Sequence, residues 1–258
     1  MILIADSGGT CTDWAVKTGQ ETVFYTSGSL VPSRVEAGVV CPHFLVPVAS
    51  KIKRVVFYGS GCATHSKALV VEKKLMQWFQ NAEVAVYSDL LALAHIGLPK
   101  TCGLVGILGT GASLAAYDGH NLQFGVMSKG KEIDPGSGTD LGKELLQAFQ
   151  SNTLPTDVSR ALYPVLKNSA SQLSKEERCT RFLFENIEMP SLRALCVSRF
   201  EAYFDYYLGE KMPDYPKMVF GGTIAYKGRD ILAAVAAKYA VEVVEFVAKP
   251  IKRLSEME

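Results

Sequence analysis

The sequence predicts a mixed α/β protein made of two similar halves, and two observations carry that reading. Short apolar runs alternate with stretches of helical periodicity along most of the chain. The chain also matches itself at an offset of 100 residues. "GGTCTDWAVKTGQETVFY", from Gly8, set against "LGTGASLAAYDGHNLQFG", from Leu108, pairs Gly9 with Gly109, Thr10 with Thr110, Ala15 with Ala115, Gly19 with Gly119 and Phe24 with Phe124. Both copies run in the same order: apolar strand, Gly-Thr turn, strand, glycine turn, third strand. Such alternation packs helices onto mixed sheets.

The elements follow in chain order. Strands are expected at 1–6, 12–18 and 21–26, the last two joined at Gly19, and further apolar runs at 54–58 and 83–87 bracket a helix at 64–80. A helix at 89–97 opens directly after "VAVYS", and strands at 103–108, 112–118 and 121–126 repeat the first three. A helix at 139–150 starts behind Ser137 and Asp140, spaced as in a capping box. Helical tendency continues across 156–188 and through 191–208, where Phe200, Tyr203, Phe204 and Tyr207 have the spacing of a core-facing stripe. A strand at 217–221, a helix at 223–239 and a strand at 241–246 complete the pattern.

Composition narrows the function classes. The 258 residues suffice for one large domain or two ordinary ones, and 48% hydrophobic with 21% charged residues is globular. A net charge of +1 with scattered basic residues argues against a nucleic-acid partner. No basic region precedes the apolar start, which ends at Asp6, so no secretory signal is read. Lys238, Glu242 and Glu245 interrupt "ILAAVAAKYAVEVVEFVA", so no membrane span or membrane partner is expected. Six dispersed cysteines without a C-x-x-C pair, and four histidines without metal-site spacing, fit a reduced, cytoplasmic protein.

Three motifs bear on chemistry. A pair of Gly-Thr turns can bring backbone N–H groups close to a polyphosphate, although either turn alone reads as a plain hairpin. Asp89 follows an apolar strand and opens a helix, which suits either a catalytic carboxylate or, with Ser88, a helix cap. "GVMSKGKE", from Gly125, copies G-x-x-x-x-G-K but ends in Glu132, without the hydroxyl or the following helix of a P-loop.

Together, "DSGGTCTDW", "VVFYGSGC", "VYSDLLALA", "GILGTGAS", "DPGSGTDLGKELL" and "VFGGTIAY" resemble the sugar-kinase/heat-shock-ATPase/actin superfamily. Within it the set is most similar to the N-acetylglucosamine kinases and BadF/BadG/BcrA/BcrD-type ATPases, in the family's order and across nearly the whole chain. The resemblance implies two lobes with duplicated ribonuclease-H-like, actin-like ATPase cores and an interlobe cleft. One lobe would span 1–87, the other 88–246, with 247–258 returning to the first. It implies an ATP-dependent kinase acting on N-acetylglucosamine or a related hexosamine, with ATP and Mg²⁺ as cofactors. Sugar and nucleotide would be its partners, and a homodimer is compatible with it.

The roles the resemblance implies are these. Gly8, Gly9, Thr10 and Thr12, with Gly109, Thr110 and Gly111, would contact the ATP phosphates, and Asp6 would hold Mg²⁺ through water. Gly221, Gly222 and Thr223 would face the adenosine, where a helix start meets the nucleotide. Asp89 would accept the proton of the acceptor hydroxyl. Asp134, Gly136 and Ser113 would contact the sugar. The chain departs from the family pattern at Cys11, at Val31 and Ser113 where an asparagine is usual, and at Pro135 where a glutamate is usual. Such changes would alter the acceptor or leave a nucleotide- or sugar-binding sensor. A dehydratase-activator ATPase is the other alternative, but it needs cluster-binding cysteines.

Overall fold

The computed structural model describes residues 1–126, 128–130, 133–168, 170–208 and 215–258. It divides into two compact units, Met1–Lys100 with Lys249–Glu258, and Thr101–Ala248.

In the first unit, β1 (Ile2–Ser7), β2 (Cys11–Thr18) and β3 (Glu21–Gly28) form an antiparallel meander. Strand β4 (Arg54–Gly59) lies parallel to β1, and β5 (Glu83–Ser88) parallel to β4, giving the order β3-β2-β1-β4-β5. The central strands carry the unbroken apolar runs Ile2–Ala5 and Val55–Tyr58, as strands covered on both faces do. Leu3, Ala5, Trp14, Val55 and Phe57 form a core with Val35 of α1 (Pro32–Glu36) and with Val71 and Leu75 of α2 (His65–Trp78). Helix α3 (Asp89–Gly97) packs on β1, β4 and β5, which carries the unit on to Lys100 rather than ending it at Tyr87.

The C-terminal helix also belongs to this unit. Lys17 Nζ donates to the carbonyl of Ser255 at 3.1 Å, and Arg253 donates to that of Ile96 at 3.0 Å. Arg54 pairs with Glu258 at 2.6 Å.

The second unit repeats the plan. Strands β6 (Gly103–Leu108), β7 (Ala112–Tyr117) and β8 (Leu122–Gln123) form the meander. Strands β9 (Lys217–Gly221) and β10 (Glu242–Val247) follow in parallel, in the order β10-β9-β6-β7-β8. Read from its other edge, this is the order of the first sheet.

The register repeats as well. Val16↔Val23 and Lys17↔Thr22 recur 100 residues later as Ala116↔Gln123 and Tyr117↔Leu122. Gly19 and Gly119, at the two tips, have φ of 61° and 97°. The turn before them differs: Ser7 pairs with Thr12 but Leu108 with Ala112, so the second turn is one residue shorter. Strand β8 stops at Gln123, short of the strand expected over 121–126.

Around this sheet stand α4 (Gly138–Gln150), α5 (Thr156–Lys167), α6 (Lys175–Glu185) and α7 (Pro190–Tyr207). Phe200, Tyr203, Phe204 and Tyr207 are fully buried in α7 and cluster with Phe220 of β9. The helix expected over 223–239 is split at Gly228 into α8 (Thr223–Lys227) and α9 (Arg229–Lys238). A side chain at Gly228 would press on the Phe200 ring, 2.9 Å away. Three elements went unanticipated: α1, a 3₁₀ turn at Val46–Lys51, and α10 (Pro250–Met257). Each has a proline in its first two positions, where the missing N–H costs nothing.

Candidate active site

In the first unit the candidate side chains Asp6 and Asp89 collect where the parallel strands end, the usual ligand position in open α/β sheets. Asp6 stands near the end of β1, opposite Asp13 of β2 and beside Tyr58 of β4. Like charges directly opposite each other weaken a sheet; Asp13 is offset by a hydrogen bond from Thr26 Oγ1 at 2.7 Å, whereas Asp6 is left the more burdened of the two. Burial, then the negative charges of Asp89 and Asp13, push the Asp6 carboxyl up to about 7.

Asp89 follows β5 by one residue. Ser88 is the helix cap, accepting from the N–H of Leu90 at 3.3 Å, which leaves Asp89 as the first helical residue. Its Oδ1 accepts from the Ser88 hydroxyl at 3.2 Å and the Leu90 N–H at 3.0 Å. Burial raises its carboxyl to about 6, against the hydrogen bonds from Ser88, Leu90 and Ser60. Ser60, not anticipated from sequence, arrives from the turn after β4, where its N–H donates to the Ser7 carbonyl at 2.8 Å. Its only sequence signal was its place in the "VVFYGSGC" motif.

The β1–β2 turn is exposed at Gly8, Gly9, Thr10 and Cys11. No atom lies within 4 Å of where a Cβ on Gly9 would stand, and its φ is ordinary. Nothing within the unit therefore requires glycine there, whereas close approach of a ligand to backbone would. Gly109 of the second turn is likewise open.

Thr12, expected among the phosphate contacts, is fully buried. Its hydroxyl bonds to Ser7 Oγ at 2.7 Å and donates to the Gly28 carbonyl at 3.1 Å, so it braces the turn instead of lining it. Ser29 Oγ donates to the Gly8 carbonyl at 2.6 Å, and the Leu30 N–H donates to Ser7 Oγ at 3.0 Å. These bonds fasten the "SLVP" segment, and so Val31, to the glycine turn. The Cys11 thiol is pushed up by partial burial and by Asp13 and Asp6, against the opposing charge of Lys249.

In the second unit Gly109, Thr110 and Gly111 form the β6–β7 turn, with Gly109 donating to the Gly111 carbonyl at 2.9 Å. The N–H of Gly138 donates to the Gly109 carbonyl at 2.8 Å, and Thr139 Oγ1 to the Thr110 carbonyl at 2.9 Å. Ser137 Oγ accepts from the Asp140 N–H at 3.1 Å, as the capping-box spacing predicts. These bonds occupy the start of α4, which offers the sugar fewer free N–H groups than the sequence suggested.

Asp134 and Gly136 depart further from expectation. Asp134 is fully buried; its carboxylate accepts from Ser128 Oγ, from the Lys129 N–H at 2.7 Å and from the Gly130 N–H at 3.1 Å. Its carboxylate holds its own loop. Part of the P-loop look-alike, Met127, Lys131 and Glu132, lies outside the described residues, but its Gly130 serves Asp134. Gly136 is buried, and a Cβ there would meet Tyr203 at 2.9 Å, which is a packing reason for glycine. Ser113 sits half-buried in β7 opposite Ile107.

Arg199 was missed. Its guanidinium grips Asp140 with two hydrogen bonds, at 2.8 and 2.9 Å, while Gly136 donates to the same carboxylate at 2.8 Å. Gly221 ends β9 opposite Ile107, and Gly222 has φ 96° and leads into Thr223 of α8. A side chain on Gly222 would collide with the Leu108 carbonyl, so this glycine lets β9 and the β6 turn approach.

Among the described residues no three His, Cys, Asp or Glu side chains form a metal cage. Mg²⁺ does not need one, since one or two carboxylates with phosphate and water ligands serve it. Asp6, burdened by two neighbouring carboxylates, is a donor of that kind. Among the described residues no helix is long and apolar enough to cross a membrane.

In fold the chain is similar to sugar kinases. A protein from Porphyromonas gingivalis, provisionally named an N-acetylglucosamine kinase, superposes with a TM-score of 0.83 at 23% identity, over 99% of this chain and 98% of that one. A ROK family glucokinase from Streptomyces griseus, solved with glucose and AMPPNP, superposes at 0.59 with 15% identity, over 95% and 93%. A ROK family transcriptional regulator, homologous to the E. coli MLC protein, superposes at 0.57 with 12% identity, over 95% and 74%. No family model and no curated protein sequence matches the chain.

Proposed function

We propose that the protein is an ATP-dependent sugar kinase of the N-acetylglucosamine kinase-like branch, transferring a phosphoryl group to a hydroxyl of N-acetylglucosamine or a related hexosamine. The observation that carries this reading is the pair of carboxylates at the ends of the first sheet's parallel strands. Asp6 and Asp89 are both raised, and each lies beside a turn or helix start.

Asp89 accepts the proton of the attacking hydroxyl. Burial sets its proton affinity near neutrality, where a general base works best, and Ser88, Leu90 and Ser60 fix the direction of its oxygens. Gly8, Gly9 and Thr10 present exposed backbone to the phosphates. Gly109, Thr110 and Gly111 remain the second unit's own candidates for phosphate contact, with Thr110 the exposed residue of that turn. Thr12 and Ser29 hold the first turn in shape. Asp6 would hold Mg²⁺, which supplies charge neutralisation on the transferring phosphoryl group. Gly221, Gly222 and Thr223 remain the candidates for the adenosine.

With Asp134 and Gly136 taken up inside their own unit, the acceptor site draws on the Asp89 side, including Ser60 and the Val31 segment. A sensor reading draws support from that loss and from the regulator sharing the fold. ADP release in Mg-ATP with N-acetylglucosamine, N-acetylmannosamine, glucose or no sugar separates the two. Sugar-dependent ADP supports the kinase; nucleotide binding without turnover on any sugar supports the sensor.

A further inference from the structure

Strand β3, one of the two edge strands of the first sheet, lacks the protection that the edges of the second sheet have. Edge strands avoid self-pairing by being short, charged or bulged. Strand β8 is two residues long, and β10 carries Glu242 and Glu245 and a register shift. Strand β3 runs eight residues without lysine, arginine, proline or bulge. Val23, Phe24 and Tyr25 at its centre are 48%, 44% and 37% exposed. Tyr25 stacks on Phe44 with ring centroids 4.4 Å apart, and Val46 is also exposed, so the apolar surface extends beyond the strand.

We propose that β3 pairs with β3 of a second copy of this chain, antiparallel about a two-fold axis at Phe24, joining the two sheets into one of ten strands. The sequence of the strand selects that occupant. In an antiparallel ladder directly opposed pairs alternate between hydrogen-bonded and non-hydrogen-bonded types. A two-fold axis makes symmetry-related pairs identical in type, so it must pass through a residue facing its own copy.

With Phe24 on the axis, "ETVFYTS" is nearly a palindrome. Val23 faces Tyr25 of the second copy, Thr22 faces Thr26 and Glu21 faces Ser27. A β-branched residue against an aromatic, and threonine against threonine, are favourable cross-strand pairs, and no like charges meet. Beside β3 a cavity of about 220 Å³ is lined by Asp13, Phe24, Tyr25, Thr26, Lys249 and Lys252, so the strand's outer surroundings are not closed off by the rest of the unit. The contact is isologous and closes as a dimer.

The test is sedimentation of the wild-type chain over a range of concentrations, beside Phe24→Lys, which sets two positive charges on the axis at an exposed position. A concentration-dependent dimer that Phe24→Lys converts to monomer is expected. Phe24→Cys under mild oxidation gives a second measure. Its Cα would lie about 4.5–5.5 Å from its own copy, within disulfide range. It should cross-link far more than Glu21→Cys, which lies far from its own copy. A wild-type monomer at all concentrations, a Phe24→Lys dimer, or equal cross-linking from both cysteines would overturn the proposal.

Discussion

Replacing Gly9 by alanine separates what the fold needs from what a ligand needs. No atom lies within 4 Å of the added methyl, and the backbone is not left-handed. The substitution should therefore stabilise the free protein by about 0.4–1 kcal/mol, by restricting the unfolded chain. For a chain of this size that is a rise in Tm of about 1–4 °C. If phosphate oxygens lie against this turn, the methyl stands in their way. Mg-ATP at a hundred times its Kd should stabilise the wild type by about 2.7 kcal/mol, a shift of about 5–11 °C. Gly9→Ala should lose most of that shift. Gly19→Ala is the opposite control: at φ 61° it should cost about 1–2 kcal/mol yet keep the full response to ATP. Thermal melts with and without Mg-ATP read both effects. A wild-type shift in Gly9→Ala would refute the assignment of this turn to phosphate.

Three further outcomes follow from the same geometry. Asp6 and Asp89 have carboxyls raised to about 7 and about 6 from 3.8, so ionisation is harder in the folded state than in the unfolded one. Their unfavourable contribution is absent below pH ~3.8, grows as pH rises through the folded values and then levels off. Without divalent metal, Asp6→Asn should therefore gain Tm over the wild type at pH 8 but not at pH 4; parallel curves would contradict this. Asp134→Ala should destabilise by about 2–4 kcal/mol, by stranding the donors of Ser128, Lys129 and Gly130, with that loss exceeding any specific effect on sugar KM in the folded fraction. Arg199→Lys should not restore the stability that Arg199→Ala loses, about 1–3 kcal/mol by chemical denaturation, because an ammonium cannot make the two-pronged bond to Asp140.

Much of the fold was legible because its signals are local. Apolar runs gave the strands, and the Gly-Thr and Gly19/Gly119 turns gave a self-match that strand register repeats in space. The missed elements, α1 and α10 among them, are short, and their proline signals were weak against charged or irregular surroundings. In the site, Asp89 stood out as a carboxylate between an apolar strand and a helix, but its proposed role, like that of Asp6, came from the motif resemblance. Thr12 and Asp134 were harder: sequence shows a hydroxyl and a carboxylate in glycine-rich turns, but not that neighbouring backbone consumes both. Arg199 was invisible because its partner, Asp140, lies on another helix.

The most direct measurement follows phosphoryl transfer from Mg-ATP to N-acetylglucosamine in wild-type and Asp89→Asn protein, with ATP binding measured in both. The account predicts a sugar phosphate from the wild type, a rate about 10²–10⁴-fold lower in Asp89→Asn, and ATP binding retained. Equal rates in the two proteins would contradict it.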